Sequence, residues 1–125
     1  MASPKRILIV DDEEDIRTYL STLLEDQGFQ TVQAKDGEEA MKILQAEPPD
    51  LITLDVSMPE KSGVKFFREL KTNDRWKQIP VIIVTGVSED FKGFISSRHQ
   101  IPAPEGFVAK PISPEEILNL ARKLT

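Results

Sequence analysis

Residues 7–14 read Ile-Leu-Ile-Val-Asp-Asp-Glu-Glu, four apolar side chains running straight into four acids. The same arrangement returns twice. Residues 51–55 read Leu-Ile-Thr-Leu-Asp, and residues 81–85 read Val-Ile-Ile-Val-Thr. Apolar runs this short, rich in Ile and Val and without polar alternation, suit strands buried on both faces, as in a parallel sheet. Gln30–Ala34 and Gly106–Ala109 are weaker candidates of the same kind.

Helical patterns lie between these runs. Ile16, Tyr19, Leu20, Leu23 and Leu24 follow the spacing of one helix face, and Gly28 provides a stop. Ala40, Ile43 and Leu44 mark a second helix, with Asp36 and Glu39 placed like a capping box and Pro48 and Pro49 ending it. A third helix is expected from near Gly63, burying Phe67 and Leu70. The last helix has Ser113, Pro114 and Glu116 at its start, and Ile117, Ala121 and Leu124 form its stripe. Residues 87–105 are the weakest stretch. Ser88 or Glu89 can open a helix holding Phe91, Phe94 and Ile95, but Gly93 weakens it and Pro102 and Pro104 stop it. One or two helical turns and then an extended loop are expected there. Strands alternating with helices imply an α/β, doubly wound parallel sheet with right-handed crossovers. Five strands in a chain of 125 residues suit the flavodoxin-like order 2-1-3-4-5, with an atypical short fourth helix. Residues 1–125 are read as a single domain.

Composition narrows the function. Sixteen basic against 21 acidic residues give a net charge of −5, so direct nucleic-acid binding is not expected. There is no cysteine, which excludes disulfides, cysteine zinc sites, iron–sulfur clusters and thiol catalysis. No apolar run approaches the ~20 residues that span a bilayer, and no secretory signal is visible, so no membrane insertion and a soluble, cytoplasmic protein are expected.

Most of the buried runs give way to charged or hydroxyl side chains. Asp11 and Asp12 succeed the first, Asp55 the third, Thr85 the fourth and Lys110 the fifth. In such a sheet the carboxyl ends of the strands share one edge, where ligands bind. Three carboxylates, a hydroxyl and an ammonium should therefore converge. Aspartates with reference pKa values of ~3.9 resist crowding without positive charge, and Lys110 offsets one of three. A hard divalent cation such as Mg²⁺ fits the deficit, since it takes oxygen ligands from one or two carboxylates, waters and phosphate. No histidine stands at these ends to act as a base, but a carboxylate can itself be a nucleophile and form an aspartyl phosphate. Mg²⁺, Lys110 and Thr85 could then each hold a phosphoryl oxygen. Asp55, on the strand central to the proposed order, is the expected acceptor.

With these residues assembled, the chain resembles a response regulator receiver domain of a two-component system, of the chemotaxis-type single-domain kind. The matching features are Ile-Val-Asp11-Asp12-Glu13, Leu-Asp55-Val-Ser-Met-Pro59, Gly63, Thr85-Gly86 and Lys110-Pro111, in order over nearly the whole chain. The resemblance implies Asp55 as phosphoacceptor. It implies Mg²⁺, with Mn²⁺ as a substitute, held by Asp12, Asp55 and the main-chain carbonyl of Ser57, with Asp11 binding directly or through water. Thr85 would be the switch hydroxyl, Phe107 the switch aromatic, and Lys110 the partner of the phosphoryl group. A cis bond before Pro111 is also implied. Partners would be a sensor histidine kinase or phosphotransfer protein and an output protein that the sequence does not name. The only catalysis expected is self-phosphorylation from a phosphodonor and self-dephosphorylation. The chain ends inside its last helix, so a stand-alone regulator and an excised receiver both fit. Two features depart from the family: Gly86 stands where Ala is frequent, and residues 87–105 are slightly long and lack an Ala/Gly-rich helix end.

Taken singly, each residue has an ordinary explanation. Asp11 and Asp12 suit the first turn of a helix, Thr85 a strand and Lys110-Pro111 a turn. Phe107, Phe91, Phe94 and Ile95 suit a core, Trp76 packing before the fourth strand, and His99 a surface loop. Three other functions compete. A phosphohydrolase with an aspartyl nucleophile would want a general acid at position 57, where Ser57 stands. A flavin module would want a glycine- and hydroxyl-rich loop where residues 11–15 are acidic. A docking module acting without phosphorylation would suit the atypical fourth helix.

Overall fold

The computed structural model describes residues 4–56, 62–86 and 104–125. The elements are β1 (Arg6–Val10), α1 (Glu14–Glu25), β2 (Gln30–Ala34), α2 (Gly37–Ala46), β3 (Leu51–Leu54), α3 (Ser62–Thr72), β4 (Val81–Thr85), β5 (Gly106–Ala109) and α4 (Pro114–Leu124). The strands form one parallel sheet in the order β2-β1-β3-β4-β5, as the alternation predicts. The short helix expected between the fourth and fifth strands falls in residues 87–103, outside the described residues.

Each inner strand is buried on both faces because its side chains alternate between two cores. Leu8 and Val10 of β1 join Ile52 and Leu54 of β3, under Ala40 and Leu44 of α2 and Phe66, Phe67 and Leu70 of α3. Ile7 and Ile9 join Leu51, Ile82 and Val84 on the other face, under Leu20 and Leu24 of α1 and Ile117 and Ala121 of α4. Trp76 is buried in the turn before β4, as expected, with the Arg75 guanidinium 5.3 Å from its ring centroid.

The helix ends obey local chemistry. At the end of α1, Phe29 N–H donates to the Leu24 carbonyl at 3.2 Å and Gly28 N–H to the Glu25 carbonyl at 3.0 Å. This is a Schellman closure, and Gly28 takes the positive φ of 93° that it demands. Ser113 Oγ accepts from Glu116 N–H at 3.4 Å and Pro114 occupies the first turn of α4. At α2 the expected box is only half formed. Asp36 Oδ1 accepts from Glu39 N–H at 2.8 Å, but the Glu39 carboxylate accepts from Lys35 N–H at 3.2 Å, one residue before the cap. Tyr19 also departs from expectation, being 41% exposed. Helix α1 buries Leu20, Ser21 and Leu24, which turns its inner face away from Tyr19. Ser21 is tolerated there because its hydroxyl bonds Thr31 Oγ1 at 2.6 Å and Glu25 at 3.0 Å.

One polar group lies deep at the rim opposite the acidic strand ends. The Lys71 ammonium, fully buried at the end of α3, reaches the Ile79 carbonyl at 2.9 Å and the Glu105 carboxylate at 3.0 Å. Glu105 also accepts from Val81 N–H at 2.8 Å, and its own N–H donates to the Val81 carbonyl at 3.0 Å. The pair thus fastens the start of β5 to β4 and α3. Removing one partner of a buried pair strands the other charge. Glu105→Ala is therefore expected to lower the unfolding free energy by about 3 kcal/mol, read from urea denaturation. Lys71→Met should cost less, because Glu105 is 35% exposed and can return to water. Equal and small losses in both variants would show that the pair does not hold this rim.

Candidate functional site

Asp11, Asp55 and Lys110 stand one residue past the ends of their strands, Asp12 two, and Thr85 is the last residue of β4. The ladder still holds their backbones. Asp11 N–H donates to the Ala34 carbonyl at 3.1 Å, Asp55 N–H to the Val10 carbonyl at 2.9 Å, and Lys110 N–H to the Thr85 carbonyl at 2.8 Å. Their positions are thus inherited from the sheet, while their side chains point beyond it. Carboxylate oxygens of Asp11, Asp12 and Asp55 lie within 4.8 Å of one another. Asp11 and Asp55 are each 2% exposed, whereas Asp12 is exposed. Lys110 crosses from the far strand and places Nζ 3.1 Å from Asp11 Oδ2 and 3.4 Å from Asp55 Oδ2.

The electrostatics are unbalanced. Burial raises the pKa of Asp11; a hydrogen bond from Glu13 N–H at 2.9 Å and the charge of Lys110 pull it back, and the charge of Asp55 adds to the rise. The net direction is upward. Burial lowers the pKa of Lys110, but attraction to Asp55 and Asp11, with hydrogen bonds to both, outweighs it and the pKa is raised. One ammonium therefore does not fully compensate the carboxylates around it.

The remaining expectations fare differently. Thr85 is 2% exposed, and its hydroxyl has no hydrogen-bond partner among the described residues. Phe107 is partly buried against the core formed with α2 and α3, and pairs across the sheet with Ile83, two residues before Thr85. The Lys110–Pro111 bond is cis. Ser57 lies outside the described residues, as do Phe91, Phe94, Ile95 and His99.

A family model for the response regulator receiver domain matches residues 7–122. This chain belongs to the receiver domain family. The alkaline phosphatase synthesis transcriptional regulatory protein PhoP of Bacillus subtilis is 36% identical over 113 residues, covering 90% of this chain and 45% of that protein. The CAI-1 autoinducer sensor kinase/phosphatase CqsS of Vibrio cholerae is 35% identical over 116 residues, 92% of this chain and 16% of that protein. The receiver thus spans less than half the length of these relatives. Among solved structures, the signal receiver domain of a histidine kinase from Syntrophus aciditrophicus superposes with a TM-score of 0.85 at 32% identity, over 96% of this chain and 89% of that one. Chemotaxis protein CheY4 of Vibrio cholerae superposes with a TM-score of 0.81 at 28% identity, over 98% and 99%.

Three neighbours of the site show their roles only in the structure, and two of them are glycines already named from the sequence. Gly63 sits against the backbone of Asp55: a Cβ there would collide with the Asp55 carbonyl oxygen and lie 2.9 Å from Val56 Cα. Gly86 lies beside the stem of Lys110, where a Cβ would make ordinary contact with Cβ and Cδ at 3.7 Å, so the alanine frequent in the family would fit. Arg17 donates from Nη1 to the Asp11 carbonyl at 2.8 Å. Arg17 is the one the sequence reading misses, although it leaves a local trace as a cation within one turn of a helix N-terminus, where the macrodipole disfavours it.

The raised pKa of Asp11 carries a stability consequence. Where the folded pKa exceeds the unfolded one, folding binds protons, and stability falls as pH rises through the interval between them. In metal-free protein Asp11→Asn is therefore expected to raise the urea midpoint at neutral pH. The gain should shrink as pH falls through about 4 and vanish below about pH 3, where Asp11 is neutral in both states. A midpoint unmoved at neutral pH would show that the carboxylate carries no such cost.

Proposed function

We propose that this chain is a phosphorylation-activated switch of a two-component system, taking a phosphoryl group from a histidine kinase onto Asp55. The observation that supports it most is the place of Asp55: buried at the end of the central strand, 3.4 Å from Lys110 and clustered with Asp11 and Asp12. Hard carboxylate oxygens without nitrogen or sulfur ligands fit Mg²⁺, and Mn²⁺ as a substitute. Asp11, Asp12, Asp55 and the main-chain carbonyl of Ser57 would hold it. When bound, the metal supplies positive charge to the equatorial phosphoryl oxygens.

The protein's own groups do the rest. An Asp55 carboxylate oxygen attacks phosphorus. An O–P bond forms, the P–N bond of the donor phosphohistidine breaks, and its electron pair returns to the imidazole nitrogen. Lys110 turns from the Asp55 carboxylate to a phosphoryl oxygen. The buried Thr85 hydroxyl, without a partner among the described residues, gains one in the phosphoryl group. Thr85 is thereby drawn inward, Phe107 changes its packing, and the surface around residues 87–105 and the last helix changes its affinity for the output protein. We read residues 1–125 as one receiver domain, working in the cytoplasm and contacting no nucleic acid directly. Among the described residues no helix is long and apolar enough to cross a membrane. Phosphotransfer from a kinase or phosphotransfer protein and the later self-hydrolysis are the only covalent steps.

Incubation with Mg²⁺ and acetyl phosphate is expected to add one phosphoryl group, lost on hydroxylamine treatment and absent in Asp55→Asn. Normal labelling of Asp55→Asn, seen by intact mass, would refute the acceptor. Thr85→Ala should still be labelled, while the phosphorylation-induced NMR shifts of residues 87–105 largely disappear. If those shifts persist undiminished, Thr85 is not the coupling group.

A further inference from the structure

We infer that Arg17 is a positioning residue for the acidic cluster, acting through the main chain of Asp11 with Gln33 of the edge strand as its anchor. The inference rests on the Mg²⁺ reading above and concerns what holds the ligands in place.

Three residues separate β1 from α1, and they carry Asp11 and Asp12. A turn this short between a strand and a helix has few internal restraints. Three contacts fix it. Asp11 N–H donates to the Ala34 carbonyl at 3.1 Å, Glu13 N–H donates to Asp11 Oδ1 at 2.9 Å, and Arg17 Nη1 donates to the Asp11 carbonyl at 2.8 Å. Arg17 Nε in turn donates to Gln33 Oε1 at 3.2 Å. Both main-chain polar groups of Asp11 are thereby tied to β2, one directly and one through a guanidinium. Arg17 N–H also bonds the Glu13 carbonyl at 3.1 Å, so the same residue closes the first turn of α1.

The guanidinium suits this task. It is planar and offers donors in a fixed fork, so it can hold two acceptors at a set angle, which a lysine cannot. A binding constellation must stay within about 0.5 Å of its working geometry, and groups behind the ligands supply that restraint. Charge alone would act in the opposite sense. A cation close to a divalent ion repels it, so removing Arg17 for its charge should tighten Mg²⁺ binding, whereas removing it for its grip should loosen it.

The opposition of signs makes the test. Mg²⁺ affinity of the full chain is measured by calorimetry at fixed ionic strength for the wild type, Arg17→Met, Arg17→Lys and Gln33→Met. Arg17→Met is expected to bind about tenfold more weakly, the range seen when groups behind a metal's ligands are removed. Arg17→Lys should fall between it and the wild type. Gln33→Met, which changes no charge, should weaken binding in the same direction by a smaller factor. In metal-free protein the Glu13 amide should lose protection from hydrogen exchange in both Arg17→Met and Gln33→Met, because the Asp11 backbone that carries its acceptor loses one of its two ties. Should Arg17→Met not fold, Gln33→Met alone decides. Unchanged or tighter binding in Gln33→Met, with the Glu13 amide still protected, overturns the inference. A wild-type protein that binds no Mg²⁺ would instead overturn the reading on which it rests.

Discussion

The ammonium of Lys110, shared between two buried carboxylates, is the interaction on which the rest depends. It lies 3.1 Å from Asp11 and 3.4 Å from Asp55 and is itself mostly buried. Without it the sheet would bring like charges together with nothing between them. With it the site is still short of positive charge, because Asp12 adds a third carboxylate within 4.8 Å. Such a site is held together by the fold around it rather than by its own attraction. The strand ladder fixes the backbones of Asp11, Asp55 and Lys110, and two cores clamp the ladder. Stability made elsewhere maintains a local arrangement that would otherwise relax, a frequent condition of functional sites.

The same frame explains why small residues matter near the acceptor. Gly63, in the first turn of α3, lies so close to the Asp55 carbonyl that no side chain fits. The helix can therefore start directly beneath the central strand end. Thr85, by contrast, keeps a buried hydroxyl without a partner among the described residues, and a buried polar group left unpaired costs about 1–3 kcal/mol. A group kept in that condition has much to gain from a new acceptor.

The fold was legible because its strands are short unbroken apolar runs and its helices are punctuated by Gly28, Asp36, Ser113 and Pro114. Even the weaker strands, Gln30–Ala34 and Gly106–Ala109, occupy the stretches expected. The convergence of Asp11, Asp12, Asp55 and Lys110 was legible too, because a parallel sheet gathers the carboxyl ends of its strands at one edge. Tyr19 misled because periodicity marks a helix stripe but not the angle at which the helix rolls onto the sheet. The hydrogen-bonding Ser21 took the inner position instead. Lys71 with Glu105, and Arg17 with Gln33, were out of reach for a different reason. They are polar contacts between residues 34 and 16 apart in the chain, and no local pattern marks which residue each one meets.

The pair of Lys71 and Glu105 has a mechanical meaning for β5. That strand is only four residues long, with Glu105 fastened at its near end and Lys110 just beyond its far end. A rod pinned at one tip cannot slide along its neighbour without first losing the pin. A pull that reaches the strand at Lys110 would therefore meet its resistance to sliding at Glu105, and between the two lie Phe107 and Val108, one packed into each core.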